Sequence, residues 1–181
     1  MPKKTQVLTI AAAKGYLLEN ALVLLREAGY RFSDNILTSR KLFAFDETKT
    51  IKLLQIRPWD VTAYVEKGAA DLGIVGLDVI HEKNENVATL LDLKFGHCRL
   101  VLAGLKDLRP DALPHHIRVA TKYPYSTELY FRERGIKAEI IKLYGAVELA
   151  PLTGLADVIC DLTASGKTLQ EHGLVEIDTI L

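Results

Sequence analysis

Cysteine is scarce in this chain of 181 residues, with two in all. Cys98 and Cys160 stand far apart, each read within an apolar run. That excludes a disulfide framework or a cysteine-rich zinc site and suits free, buried thiols in a reducing compartment. An excess of one charge is also missing: 23 basic residues meet 23 acidic ones, so the net charge is zero. No global basic field exists to draw nucleic acid, and any anionic ligand must be held by local charge. No run approaches the roughly 20 apolar residues of a membrane helix. The start, Met1 to Gln6, leads into a short apolar run broken by Lys14 and Gly15, without a secretory signal's length or cleavage pattern. The reading is a cytoplasmic protein. His81, His97, His115, His116 and His172 have no metal-ligand spacing, and no Ser–His–Asp or Cys–His arrangement can be argued. Repeats, low-complexity tracts and heptads are absent too.

Hydrophobic residues make up 49% of the chain, enough for a real core. Short apolar runs alternate with helical periodicity. Val7 to Ala12 reads as a strand, followed by apolar residues from Leu17 to Ala28 at i, i+3, i+4, i+7 spacing. Ile51 to Ile56 reads as a strand, with Pro58 in the first turn of the next helix. Leu72 to Gly76 is a short buried strand. Leu90 to Phe95 and Arg99 to Ala103 read as two extended segments joining two lobes, with lobe I over 1–90 and lobe II over 91–175. Ile117 to Ala120, Ala138 to Leu143 and Val175 to Ile180 are further strands; Ser126 to Arg134 and Gly145 to Leu152 are helices. The fold class is α/β, mostly parallel, in two lobes with a cleft. Ligands of such sheets sit beyond the carboxyl ends of the strands.

The densest chemical signal is Ala156 to Leu169. Val158 to Cys160 reads as a buried parallel strand ending in Asp161. A small, hydroxyl-rich turn from Thr163 to Thr168 then opens a helix. Backbone N–H groups at such a turn attract a phosphate. Thr163, Ser165 and Thr168 add hydroxyls and Lys167 adds charge, with Ala164 and Gly166 the small residues of the turn. Asp161 suits a sugar diol or Mg²⁺. Together these describe a phosphoribosyl donor. Ser165 to Thr168 looks like the end of a Walker A loop, but that motif needs glycine where Asp161 stands. The plainer alternative is an ordinary strand–turn–helix.

Other candidates lie at strand exits or, for Ser39 to Lys41, after a helix and loop. Lys14 can reach a phosphate from the Gly15 turn, or be a surface lysine at a helix start. Ser39-Arg40-Lys41 is a basic run, ordinarily a solvated face. Arg57 ends a strand, and its rigid fork suits phosphate. Asp78, beyond Gly76, either caps a helix or hydrogen-bonds a nucleoside. Glu148 either complements a helix dipole or, beside Asp161, binds ribose hydroxyls or Mg²⁺.

Several segments in order carry a family resemblance: Ala13-Lys14-Gly15, Arg57 to Val61, Gly68 to Gly76, Ala120 to Pro124, Gly145 to Pro151, Gly154 to Asp157 and Asp161 to Leu169. Over nearly its whole length the chain resembles the ATP phosphoribosyltransferases, which begin histidine biosynthesis. The resemblance implies two lobes of the periplasmic-binding-protein type, with ATP, phosphoribosyl pyrophosphate and Mg²⁺. It implies that Glu148, Asp161 and Thr163 to Thr168 serve the phosphoribosyl donor. It gives Lys14, Arg40, Arg57 and Asp78 to ATP and pyrophosphate, with Lys14 and Arg57 offsetting charge on the leaving group. Two positions depart from the family pattern: Tyr16 stands where arginine is common, and Ala13 where proline is. The short form, which the chain resembles, lacks a histidine-binding regulatory domain. Such forms work with a partner similar to histidyl-tRNA synthetase, which implies a homodimer within a hetero-oligomer. Family members usually return to lobe I after the last strand, so 176–181 reads as the start of that return, and the chain stops at Leu181.

Two rivals come from other classes. A small-molecule sensor needs no phosphate anchor, and phosphoribosyltransferases with a nucleobase acceptor usually carry paired acids before their loop, where Asp161 is followed by Leu162.

Overall fold

The computed structural model describes residues 7–33, 36–38, 40–106, 108–110 and 113–181. Met1 to Gln6 and Ser39, part of the readings above, lie outside them. The chain divides into two compact units, Met1–Gly96 and His97–Leu181. The sequence pattern puts this boundary near residue 90. Residues 90–95, read as an extended strand, form no regular element. Leu90 is 75% exposed, so its apolar character marks no buried strand.

Unit 1 runs β1 (Leu8–Ala13), α1 (Tyr16–Glu27), β2 (Phe43–Phe45), β3 (Ile51–Ile56), a 3₁₀ turn (Pro58–Asp60), α2 (Val61–Glu66), β4 (Leu72–Ile74) and α3 (Leu77–Lys83). Its sheet has the order β2-β3-β1-β4. β1 pairs in parallel with β3 and β4, while β2 is an antiparallel edge. From Ile10 to Ala13, β1 is an unbroken apolar run because both faces are covered there. Ile10 and Ala12 pack with Leu18 of α1, Ile36 and Leu53. Ala11 and Ala13 face the other way, onto Val61 of α2 and Ala70.

Unit 2 runs β5 (Arg99–Gly104), β6 (His116–Thr121), α4 (Pro124–Glu133), β7 (Lys137–Lys142), α5 (Leu149–Leu152), β8 (Val158–Thr163), α6 (Lys167–Glu171) and β9 (Val175–Thr179). The sheet order is β7-β6-β8-β5-β9. β6, β7 and β8 are parallel; β5 is antiparallel to both β8 and β9. One face buries Val101, Ala103, Ala120 and Ile159 against Ala150, Leu169 and Leu174.

Four readings need correction. Residues 176–181 do not leave for the first lobe: β9 hydrogen-bonds to β5, and Leu100 N–H donates to the Leu181 carbonyl (2.8 Å). The helix read over Gly145 to Leu152 is only Leu149–Leu152, because Ala146 takes a positive φ of 49° that a helix cannot hold. Cys98 is exposed, while Cys160 is buried. Asp161 is not at the end of its strand, since β8 continues to Thr163.

Candidate functional site

In unit 1 the parallel register fixes which side chains meet. Ala13 pairs with Ile56, and Ala12 with Ile74, so β1, β3 and β4 end on one edge of the sheet. The Lys14 N–H donates to the Ile56 carbonyl (3.0 Å), extending the ladder to the residue before Arg57. Gly15, at a φ of 92°, then turns the chain into α1, a conformation that favours glycine. Lys14 and Arg57 line one hollow of about 370 Å³, with Leu42, Phe43, Asp60 and Tyr64 among its walls. Two cations over partly apolar walls suit a phosphorylated ligand with a flat apolar part.

Arg40 and Asp78 sit differently. Arg40 is exposed, and its near neighbours Leu42 and Phe43, rather than Arg40 itself, line the hollow. The buried Gln55 amide holds this segment by donating to the carbonyls of Ile36 (3.1 Å) and Lys41 (3.3 Å). Asp78 lies in the first turn of α3, its carboxylate folded against Gly76 so closely that a β-carbon there would collide with it.

Unit 2 has a matching edge. Thr121 pairs with both Lys142 and Cys160, so β6, β7 and β8 reach the edge together. β6 stops at Thr121. β8 runs on through Asp161, Leu162 and Thr163, paired there with β5. Asp161, opposite Val101, is 9% exposed, and Lys122 Nζ stands 3.8 Å from its Oδ2. Burial pushes the Asp161 carboxyl up from the ordinary aspartate range. The Leu162 N–H and Lys122 pull it back, and the Glu148 charge nearby adds to the rise. The last effect brings Glu148 and Asp161 into one electrostatic neighbourhood. Glu148 stands just before α5 and makes no side-chain capping bond there.

The turn after β8 has the form the sequence implies. The buried Thr163 hydroxyl accepts the Gly166 N–H (2.8 Å). Gly166 takes a φ of 75°. Lys167 N–H reaches Ser165 Oγ at 3.4 Å. Ala164, Ser165, Lys167 and Thr168 are exposed, and Leu169 anchors α6 in the core. Lys167 Nζ is 4.0 Å from Glu171 on its own helix.

Lys122 is a candidate the sequence reading did not single out, set beside Asp161 by the fold. The signal was its segment, Ala120 to Pro124, without a reason to pick the lysine. The structure supplies one: the Thr121 hydroxyl donates to the Cys160 carbonyl (2.7 Å) and accepts the Tyr123 N–H (2.8 Å), clamping the turn that carries Lys122 beside β8. Among the described residues no group of three or more His, Cys, Asp or Glu could hold a metal. Glu148 and Asp161 are two carboxylates close enough for the charge of one to act on the other. That donor set fits Mg²⁺, which is bound through one or two carboxylates with substrate phosphates completing its shell.

Two α/β units with loops at their strand ends define a class. A putative L-cystine ABC transporter protein from Listeria monocytogenes shares the fold, with a TM-score of 0.62 at 14% identity, over 97% of this chain and 79% of that one. Sequence narrows the class to a family. The model described as HisG: ATP phosphoribosyltransferase matches residues 57–181. The ATP phosphoribosyltransferase of Geobacillus sp. (strain WCH70) is 48% identical over 174 residues, 96% of this chain and 84% of the relative. The ATP phosphoribosyl transferase (HisG:HisZ) complex from Thermotoga maritima has a chain with a TM-score of 0.82 and 34% identity, over 96% of this chain and 82% of that one. The chain belongs to the ATP phosphoribosyltransferase family. It is an enzyme, a pentosyltransferase of the first step of histidine biosynthesis, which sets aside the sensor and nucleobase rivals. No described helix is long and apolar enough to cross a membrane.

Proposed function

We propose that this chain is the catalytic subunit of a short-form ATP phosphoribosyltransferase, with its substrates held at the two strand edges described above. The observation that carries the reading is the unit 2 edge: a buried carboxylate, Asp161, leading into a glycine-turned hydroxyl loop. Thr163, Ala164, Ser165, Gly166, Lys167 and Thr168 hold the 5′-phosphate of phosphoribosyl pyrophosphate. Asp161 and Glu148 accept hydrogen bonds from the ribose hydroxyls. Lys122 offsets the charge of Asp161, so that burial does not silence it.

Lys14 and Arg57 serve ATP and the departing pyrophosphate. Adenine N1 forms a bond to ribose C1 as the bond from C1 to pyrophosphate breaks, and the bonding pair leaves with pyrophosphate. Positioning and charge stabilisation do most of this work. Arg40 and Asp78 contribute to ATP from outside the hollow that Lys14 and Arg57 line. As an alternative to the ribose contacts, Asp161 and Glu148 would help hold Mg²⁺, which would supply positive charge against that of the leaving group.

Likeness to the Thermotoga maritima HisG:HisZ chain supports a partner of the same kind, a regulatory subunit similar to histidyl-tRNA synthetase. The chain is then a homodimer within a hetero-oligomer, working in the cytoplasm. A coupled assay with ATP, phosphoribosyl pyrophosphate and Mg²⁺ tests the reading, with that partner present. Phosphoribosyl-ATP should form with the parent and be lost in Thr168→Ala and Arg57→Ala. Full turnover in both variants would remove the proposed anchors.

A further inference from the structure

We propose that Arg99 and Glu176 form a charge-cancelling support under the loop 163–166, positioning residues that let a phosphate dianion settle beside a carboxylate. This rests on reading that loop as the phosphoribosyl anchor.

Glu176, on β9, stands beside the loop at Gly166. Its Oε1 lies 3.0 Å from the point that a β-carbon on Gly166 would occupy. It joins Gly166, Leu169, Gln170 and Leu174 in lining a hollow of about 200 Å³. Arg99, on β5, lies opposite Thr163 in the β5–β8 register. Directly opposed residues share a face, so Arg99 leaves the sheet beside the residue that begins the loop. Its guanidinium grips Glu176 with two hydrogen bonds, Nη1 to Oε2 (2.7 Å) and Nη2 to Oε1 (3.0 Å). The pair thus bridges β5 and β9, with Arg99 opposite Thr163 in register and Glu176 beside Gly166.

Both side chains are partly exposed, at 45% and 32%. An ion pair of that exposure adds little to folding, so stability does not explain its position. Charge does. A lone carboxylate in contact with a phosphate loop repels the ligand over several ångströms. A two-pronged arginine cancels that charge and fixes the carboxylate's orientation, which a lysine cannot do as well.

The test is calorimetric binding of phosphoribosyl pyrophosphate with Mg²⁺ to the full chain, with ATP binding measured beside it. Arg99→Met leaves Glu176 charged, and the Kd for phosphoribosyl pyrophosphate should rise about tenfold. That excess should shrink as salt is added. Glu176→Gln should bind as well as the parent or better. The double variant Arg99→Met/Glu176→Gln should return to within about threefold of the parent. ATP affinity should hold in all three. If Arg99→Met fails to fold, Arg99→Gln removes the charge while keeping a hydrogen-bond donor. A plain structural brace gives another pattern: the double variant no better than Arg99→Met, or ATP affinity falling in step. Either result overturns the proposal. Thr168→Ala separates the two layers of the argument. If it leaves the phosphoribosyl pyrophosphate Kd unchanged, the loop reading fails and takes this inference with it. If it weakens binding while Arg99→Met does not, the support alone is refuted.

Discussion

Lys122 Nζ stands 3.8 Å from Asp161 Oδ2, at the place where β6 ends and β8 continues. A lysine at that distance offsets only part of what burial takes from a carboxylate that is 9% exposed. The net result is an Asp161 carboxyl held above its ordinary range. A charge kept in such surroundings works against folding, and sites of that kind gather where chemistry needs them.

Asp161→Asn should therefore separate stability from activity. The folded-state pKa of Asp161 lies above its unfolded value, so the folded form binds more protons between the two. Stability then falls as pH rises through the folded pKa, and below the unfolded pKa the difference vanishes. Asparagine removes that loss and can still accept the Leu162 N–H, which reaches Asp161 Oδ1 at 2.9 Å. At pH 7 the variant should melt at or above the parent's temperature, with the gap closing in acid. Its kcat/KM should drop on the order of 10²-fold. A variant that melts lower at pH 7 and turns over normally would sink this account of Asp161.

Arg57 and Lys14 offer the opposite case. Both are exposed side chains of one hollow, so Arg57→Ala and Lys14→Ala should change folding stability by no more than about 0.5 kcal/mol. Arg57→Ala should lower kcat by about 10² to 10³-fold if the guanidinium meets charge that grows in the transition state. Arg57→Lys should recover only part, because an ammonium cannot form the two-pronged contact. The double variant should lose less than the product of the single losses, since the two cations share one ligand. A rise in KM with unchanged kcat would assign Arg57 to binding alone.

The sequence shows the strand exits well because their signals are local. Glycine after Lys14, proline after Arg57 and the hydroxyl run after β8 each need only their neighbours to be read. It hides what depends on pairing. β2 is three residues long, and Phe43 and Phe45 are exposed, so only its antiparallel pairing with β3 reveals it. Lys122 comes beside Asp161 only through the Thr121 to Cys160 register. Asp161 looks like the end of a strand until β5 is seen to carry β8 on to Thr163. Glu176 and Arg99 lie far apart in sequence, and nothing in either segment suggests that they pair, with Glu176 beside Gly166.

The far edge of the unit 2 sheet tests whether charge effects are confined to the site. Asp157, just before β8, accepts the backbone N–H of Arg118 (2.8 Å) and pairs with its guanidinium (2.7 Å). The Arg118 side chain is the main cause holding the Asp157 carboxyl below its ordinary range, against an opposing effect of burial. The folded pKa is depressed, so this stabilisation is present above the usual value of 3.8 and is lost as pH falls through the folded pKa. The Asp157 side chain is 36% exposed, so screening keeps the contribution below about 1 kcal/mol. Asp157→Asn should lower the melting temperature slightly at pH 7 and match the parent in strong acid. Binding of phosphoribosyl pyrophosphate should not change, and a clear loss of affinity would show that the two edges are coupled.

Gly166 should be sensitive for two reasons that a paired comparison can pull apart. Alanine at a φ of 75° costs about 1 to 2 kcal/mol from backbone strain alone. Its β-carbon would also press on Glu176 Oε1 at 3.0 Å. A carboxylate at the end of a free side chain would swing away, but Arg99 holds this one by both oxygens. The loop must then give way, carrying the Thr163 to Thr168 donors with it. Gly154 is the control, with a φ of 73° and nothing within 4 Å of its added β-carbon. Gly166→Ala should lose at least as much melting temperature as Gly154→Ala, because the backbone strain is alike and the Glu176 contact adds to it. Only Gly166→Ala should weaken phosphoribosyl pyrophosphate, by about tenfold, with ATP unaffected. Equal loss of affinity in both variants would mean that general destabilisation, rather than displacement of the loop, governs binding.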